Sequence, residues 1–506
     1  MKKVLLAALL SGFIYQSGFA KVSLPALFGN HMMLQQKVPV KLWGKADPGE
    51  KISINILKQN ISTTAGKDGR WTAWLKPLSA SKPISMTIKG SNLITINDIL
   101  VGDVWVASGQ SNMEWRVNQS NNYEAEAKKA NYPQIRLFHV INSIADTALD
   151  FVRGKWEVCT PQNVGTYTGV GYFFIRDMYR HYKAPMGLIE ADWGATNAEA
   201  WTSLKALQDD PKSHYILDRW NRQVQARPQV LEKYKTDFYA WKKNADELSA
   251  KGDSIPLPPR NGAGPGSKNA PGSIYNAVIA PMAGYTIKGI IWYQGEGNAY
   301  VGQAFPYRYM FATLITSWRQ AWGQGNFPFI FVQLSSSKKE PYWPIMRESQ
   351  ADVLKLPNTG MAVSLDLGDS TNAHYKNKQD VGYRLHLAAR HLAGEKLEYS
   401  GPVYQKMSVE NSGIRLYFDH ANGMKTSDGG ALGGFTIAGE DGVFVPAKAQ
   451  IDGKTIVVSN SAVSKPVAAR YSYVGWPFYN LVNGDNLPAS SFRTDNFETD
   501  GKMGKN

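Results

Sequence analysis

From residue 21 to about 98 the apolar residues come in short alternating runs. In Val38-Pro39-Val40-Lys41-Leu42-Trp43 and Ile52-Ser53-Ile54-Asn55-Ile56 every second side chain is apolar, the period of a strand with one buried face. Asp47-Pro48-Gly49 and Gly66-Lys67-Asp68-Gly69 punctuate them with turn residues. This spacing predicts an N-terminal β-sandwich over 21–98. From about Ile99 the pattern becomes strand, helix, strand. Apolar runs at 104–107, 135–140, 186–191, 288–293, 328–334 and 361–366 read as strands. Between them, Phe311, Ile315, Trp318 and Trp322 share one face of a helix over 307–322, as do Val381, Leu385, Ala388 and Leu392 over 380–393. The alternation predicts an α/β unit over 99–395, a mostly parallel sheet with helices on both faces.

Two segments depart from that rhythm. In 228–250, Leu231, Tyr234, Phe238, Trp241, Ala245 and Leu248 recur every three or four residues, which predicts a helical insertion at about 205–255 laid over the sheet. The Pro- and Gly-rich stretch from Ile255 to Gly266 that follows reads as a loop. From 396 onward, Val409, Ile414 to Phe418, Phe435 to Ala438 and Thr455 to Val458 read as strands of a C-terminal β-rich domain over 396–506.

Composition narrows the function classes. A chain of 506 residues exceeds one typical domain, and 43% hydrophobic residues against 19% charged supply folded cores. Lys2, Lys3, an apolar run from Val4 to about Tyr15 and the small residues around Gly18-Phe19-Ala20 read as a signal peptide over 1–20. Export to the periplasm or the medium follows as an expectation. That run is too short to span a bilayer, and no other stretch is apolar enough for stable membrane insertion. The single cysteine, Cys159, excludes an internal disulfide. The formal charge of +14 is scattered without a dense run, so it reads as a solvated surface and not as a nucleic-acid face. No oligomeric state can be read from these features.

The candidate chemistry lies where strands end. Val104 to Ser108 delivers the chain to Gly109-Gln110-Ser111-Asn112, followed by helix-compatible residues. Open α/β sheets collect ligands at the carboxyl ends of their strands, and glycine lets the backbone turn sharply there. Ser111 is thereby a candidate nucleophile, with its own N–H aimed at a reacting carbonyl oxygen. A helix-capping serine is the plain alternative. Trp193-Gly194-Ala195-Thr196 ends a second strand, and the Gly194 N–H is a candidate oxyanion donor. Gln294-Gly295-Glu296-Gly297-Asn298 ends a third, where the Gln294 amide is another candidate donor. Leu365-Asp366 ends a fourth, and the polar loop after it carries His374, a candidate base for Ser111. His386 and His391 sit in a helix pattern, and the other five histidines have no comparable setting.

Taken together, the four stretches resemble the sialate O-acetylesterase family of the SGNH hydrolases. The matching residues are Gly109 to Trp115, Trp193 to Thr196 with Glu199-Ala200-Trp201, Trp292 to Glu296 with Asn298-Ala299, and Leu367-Gly368-Asp369 through His374 to Gln379. The resemblance implies a flavodoxin-like core with β modules attached, and metal-independent, cofactor-free deacetylation of an O-acetylated sugar or glycan. It implies Ser111 as nucleophile, His374 as base, and Ser111, Gly194 and Gln294 as the oxyanion hole. The sequence departs from the family pattern at one position. The acid usually found three residues before the histidine is Thr371 here. Asp369, Glu296 and a backbone carbonyl remain alternatives for orienting His374. Trp115, Trp193, Trp201 and Tyr293 are candidates for stacking on a sugar, with core packing the alternative; Arg116 and Asn298 are candidates for polar contact with it. Acetylated xylan- or pectin-type glycans and a non-catalytic glycan-binding protein are the competing readings.

Overall fold

The strand Leu93–Gly109, here β1, organises the molecule. In this computed structural model the described residues are 21–497, apart from 80–81, 252–255, 257–258, 260–263, 265 and 339. The signal peptide expected at 1–20 and most of the loop expected at 255–266 lie outside them. The first residues of β1 pair antiparallel with Ile84–Lys89, and its middle pairs parallel with Met33–Gln35. Its last residues form the centre of the large sheet. The strand therefore runs straight through residue 98, where a domain boundary was expected.

Six further strands complete that sheet: β2 Tyr132–Val140, β3 Gly154–Cys159, β4 Met186–Asp192, β5 Gly289–Tyr293, β6 Phe329–Val332 and β7 Thr359–Ala362. Their order is β7-β6-β5-β1-β4-β2-β3. Only β3 runs antiparallel to its neighbour in this part of the sheet. Counting β1, β4, β5, β6 and β7 alone, the order is that of a flavodoxin-like sheet. β1 and β4 to β7 are the six expected strands less β2, which lies between β4 and the edge strand β3. All five residues of β5 and all seven of β4 are buried, as strands covered on both faces must be. Neither β3 nor the helix Gly169–Tyr182 was expected from the sequence.

Four helices matter to the site: α1 Ser111–Glu114, α2 Gly169–Tyr182, α3 Tyr307–Trp322 and α4 Lys378–Leu392. On one face, Phe174 of α2 meets Trp105 of β1 edge-on, with ring centres 5.0 Å apart. On the other, Trp292 of β5 packs on Phe311 and Trp318 of α3. Cys159 is fully buried, and burial pushes its thiol up to about 12, out of reach of thiolate chemistry. In the expected insertion, His214–Gln225 and Arg227–Lys251 are helical. Beyond α4, two four-stranded antiparallel sheets enclose Ile414, Leu416, Ile437, Ile456, Val458 and Tyr471. They are fastened to the large sheet by Arg347, which is fully buried and donates to the carbonyls of Ser335, Ser472 and Val474 and to Ser491 Oγ. Among the described residues no helix is long and apolar enough to cross a membrane.

Candidate active site

β1 ends between β4 and β5, the point from which the chain crosses over in opposite directions. The strand end is clamped on both sides: the Gln110 N–H donates to the Tyr293 carbonyl at 3.0 Å, and the Trp193 N–H donates to the Gly109 carbonyl at 3.1 Å. Gly109 has φ +144°, and a Cβ there would lie 2.1 Å from the Tyr293 carbonyl oxygen, so no other residue fits. The turn it makes starts α1 at Ser111. As the first residue of a helical turn, Ser111 has no intrahelical acceptor for its N–H.

His374 reaches this point from the loop between β7 and α4. Its Nε2 stands 2.8 Å from Ser111 Oγ, across 263 residues of sequence. The loop is shaped by Asp369, whose Oδ1 accepts from the Thr371 N–H, the Thr371 hydroxyl and the Asn372 N–H. Asn372 Oδ1 in turn accepts the His374 N–H at 2.8 Å. Asp369 therefore builds the loop and does not touch the imidazole. Glu296 does not touch it either. Its Oε1 accepts from Asn112 Nδ2 at 2.6 Å, and the same amide donates to the Ala373 carbonyl at 3.0 Å. Asn112 Oδ1 accepts from Lys378 Nζ at 2.6 Å. Asn112 is thus the buried tie between the Ser111 turn, the His374 loop, Glu296 and Lys378. Among the described residues no hydrogen bond reaches His374 Nδ1. What meets the ring is Trp115, stacked at 5.6 Å between centres with planes 11° apart.

The electrostatics follow from burial. Lys378 is fully buried, and desolvation pushes its ammonium down to about 7 against the pull of Glu296. Burial raises the Glu296 carboxyl. His374 is lowered from its ordinary 6.5, first by burial and then by the Lys378 charge, with Glu114 opposing.

The remaining expected residues divide sharply. The Gly194 N–H donates to Glu114 Oε2 at 2.6 Å, and a Cβ on Gly194 would lie 2.4 Å from that oxygen and 3.4 Å from Ser111 Cβ. A side chain there would displace the Glu114 carboxylate from the Gly194 N–H. Gln294 faces inward: it is fully buried, its Nε2 donates to Asn298 Oδ1 at 2.8 Å and to the Thr196 carbonyl at 3.3 Å, and its Oε1 accepts from the Tyr307 hydroxyl at 2.8 Å. Both amide protons are spent, so Gln294 has none left for an oxyanion. Asn298 is buried with it, accepting from the Ala198 N–H and donating to Glu199. Contact with substrate is closed to it. Arg116 pairs with Glu190 and stands 3.8 Å from Asp192, so it is not free for a substrate carboxylate. Trp201 is fully buried and donates to Thr196 Oγ1; Tyr293 is fully buried and bonds Tyr375. Trp193 is half-buried, with Lys268 Nζ 5.1 Å from its ring centre. Glu114, Asn112 and Lys268 were not singled out from the sequence. Glu114 was within reach of reasoning, since a residue three after Ser111 in a helical turn shares its side.

Comparison with known proteins joins this geometry. Residues 261–392 match the family model described as carbohydrate esterase, sialic acid-specific acetylesterase. A sialate O-acetylesterase of Rattus norvegicus is 30% identical over 500 residues, 88% of this chain and 89% of the relative. One of Homo sapiens is 31% identical over 432 residues, 76% of this chain and 74% of the relative. The crystal structure of a carbohydrate acetylesterase from Xanthomonas citri is 33% identical and superposes with a TM-score of 0.80, covering 94% of this chain and 100% of that one.

Proposed function

The chain belongs to the sialate O-acetylesterase family, and from that premise we propose that it removes O-acetyl groups from sialic acids through a Ser111–His374 dyad. The observation that carries the reading is the 2.8 Å approach of His374 Nε2 to Ser111 Oγ. Ser111 Oγ attacks the acetyl carbonyl carbon while its proton passes to His374 Nε2. The tetrahedral intermediate collapses with cleavage of the bond to the sugar oxygen, which takes the proton from Nε2. Water then gives a proton to Nε2 and attacks the acetyl-enzyme; acetate leaves and Ser111 recovers its proton.

The developing oxyanion needs donors. The Ser111 N–H is one. The Gly194 N–H is the second, and the Glu114 oxygen 2.6 Å from it marks a place where negative oxygen is accepted. In this reading the substrate takes that N–H from Glu114. Each donor lowers the barrier by about 2.7–4 kcal/mol. Among the described residues no carboxylate hydrogen-bonds the imidazole, and Glu114 favours the imidazolium only through space. The indole of Trp115 stacks on it instead, an arrangement worth about 0.5–2 kcal/mol for a cation on an aromatic face. The residues 1–20 support action outside the cytoplasm.

A second reading, acetylated xylan-type glycans, is favoured by one observation: Arg116, a candidate for polar contact with the sugar, is already paired. Hydrolysis of p-nitrophenyl acetate tests the chemistry. Ser111→Ala is expected to lower kcat by about 10⁴-fold or more, and His374→Ala by a similar factor, because the pair acts as a unit. Wild-type rates in either variant would refute the dyad. O-acetylated sialic acid set against acetyl-xylan then decides the substrate.

A further inference from the structure

Beside the Ser111 turn stands a cation that the chemistry above does not use. Lys268 stands in Gly266-Ser267-Lys268-Asn269-Ala270-Pro271-Gly272, outside the four motif stretches. Its Nζ donates to the Gly194 carbonyl at 2.6 Å and lies over the Trp193 ring. The other side of the same glycine, its N–H, faces Glu114, and a Cβ built on Gly194 would lie 3.4 Å from Ser111 Cβ. The ammonium and the reacting serine therefore both border Gly194.

The backbone carrying Lys268 is pinned to the turn after β4. The Asn197 N–H donates to Asn269 Oδ1 at 2.8 Å, Asn269 Nδ2 donates to the Ala195 carbonyl at 3.2 Å, and the Gly272 N–H donates to the Glu199 carbonyl at 3.0 Å. A lysine so held is preorganised, unlike an arm in open solvent. An ammonium has three N–H donors, and Gly194 takes one. Among the described residues no other hydrogen bond from Nζ is present. The group is half-buried, and the charged side chain acting on it is Glu114, itself engaged by Gly194. Partial burial strengthens any ion pair it makes relative to one in open water. A neutral hydroxyl gains less from such a donor than a carboxylate does.

We infer that Lys268, beside Gly194 and Trp193, forms a carboxylate subsite at the lip of the Ser111 cleft and selects acetylated sugars that carry a carboxylate. The inference rests on Ser111 and His374 being the reacting pair. It assigns to Lys268 the recognition that the paired Arg116 does not supply.

The test uses the full chain and two substrates, an O-acetylated sialic acid and its carboxyl methyl ester. Wild type is expected to favour the acid by about tenfold in kcat/KM, a usual scale for one charged hydrogen bond. Lys268→Met is expected to bring that ratio close to one, whereas Lys268→Arg keeps most of it. Inhibition of p-nitrophenyl acetate hydrolysis by free sialic acid should weaken about tenfold in Lys268→Met. A ratio preserved in Lys268→Met, with both esters slowed in parallel, would make Lys268 a strut for the 194–197 turn and overturn the subsite. A wild-type ratio near one, or inhibition unchanged by the substitution, overturns it too. Failure of the dyad reads out separately: Ser111→Ala would then hydrolyse both esters like wild type, which removes the cleft from the chemistry and the subsite with it.

Discussion

β1 and β5 lie side by side, with Gly109 directly opposite Tyr293, and each ends in glycine and polar amides. Their fates are opposite. After β1, among the described residues the Ser111 hydroxyl meets only His374, and the Ser111 N–H has no backbone acceptor. After β5, Gln294 closes every bond inward, and the buried polar chain runs from Tyr307 through Gln294 and Asn298 to Glu199 and Arg219. The same residue types serve as site in one turn and scaffold in the other. What separates them is Ser111, which is left to His374 alone while Gln110 and Asn112 on either side of it are bonded inward as Gln294 is. A closed network rigidifies; an open one is available to a ligand. The closed turn still serves the open one, because the Gln294 amide holds the Thr196 carbonyl two residues beyond Gly194.

The sharpest way to break this contrast is on the open side. Trp115→Ala removes the ring stacked on His374 while leaving Ser111, Asn112 and the loop bonds in place. A freed imidazole samples other orientations, and displacement of a reacting group by about 1 Å costs about 100-fold. The expected result is a fall in kcat of about 10- to 100-fold on p-nitrophenyl acetate, with KM changed little. An unchanged kcat would mean that the loop alone orients the imidazole.

On the closed side the expectation reverses. Gln294→Leu leaves the Thr196 carbonyl without its partner and the Tyr307 hydroxyl with only the backbone carbonyl of residue 294 at 3.4 Å, while Asn298 Oδ1 keeps the Ala198 N–H. Each such orphaned group costs about 1–3 kcal/mol. Thermal unfolding should shift down by several degrees. Activity per folded molecule should fall by less than about tenfold. An oxyanion donor would behave the other way, losing about 10²–10³ in kcat with stability intact. That second outcome would return Gln294 to the reacting centre.

The contrast also explains what the sequence could and could not reveal. α3 and α4 carry one apolar stripe each, and their periodicity matches Tyr307–Trp322 and Lys378–Leu392 closely. α2 was missed although Val170, Phe174 and Met178 recur at helical spacing; Val170 to Ile175 is buried throughout, so its apolar stripe is broader than those of α3 and α4. β3 is a short antiparallel edge strand whose burial does not alternate regularly. In the site, the strand-end rule reached Ser111 and a polar loop reached His374. The orientation of Gln294, Asn298 and Arg116 was illegible for a physical reason. Their partners, Thr196, Glu199 and Glu190, lie some 70 to 100 residues away, and no local pattern records which pairs close. Lys268 was missed because a lysine in a Gly- and Pro-rich stretch looks like any solvated loop cation until its loop is seen pinned to the turn after β4.

The subtlest probe of the open turn is its pH profile. His374 must be neutral to take the Ser111 proton, so the rate falls as acid protonates it. Burial and the Lys378 charge both oppose the imidazolium, and the acid limb should therefore have its midpoint below the ordinary 6.5. Lys378, pushed down to about 7 by burial, is increasingly charged as pH falls through that limb. Lys378→Gln removes the charge while keeping an amide to donate to Asn112. Repulsion on the imidazolium is then lost, His374 binds its proton more readily, and the limb moves to higher pH. The burial contribution stays, so the shift is partial. Profiles of kcat/KM for wild type and Lys378→Gln, with unfolding measured alongside to confirm an intact fold, check the sign. A limb that moves to lower pH, or does not move, would mean that Lys378 acts on His374 only through Asn112 and the Ala373 carbonyl that Asn112 holds.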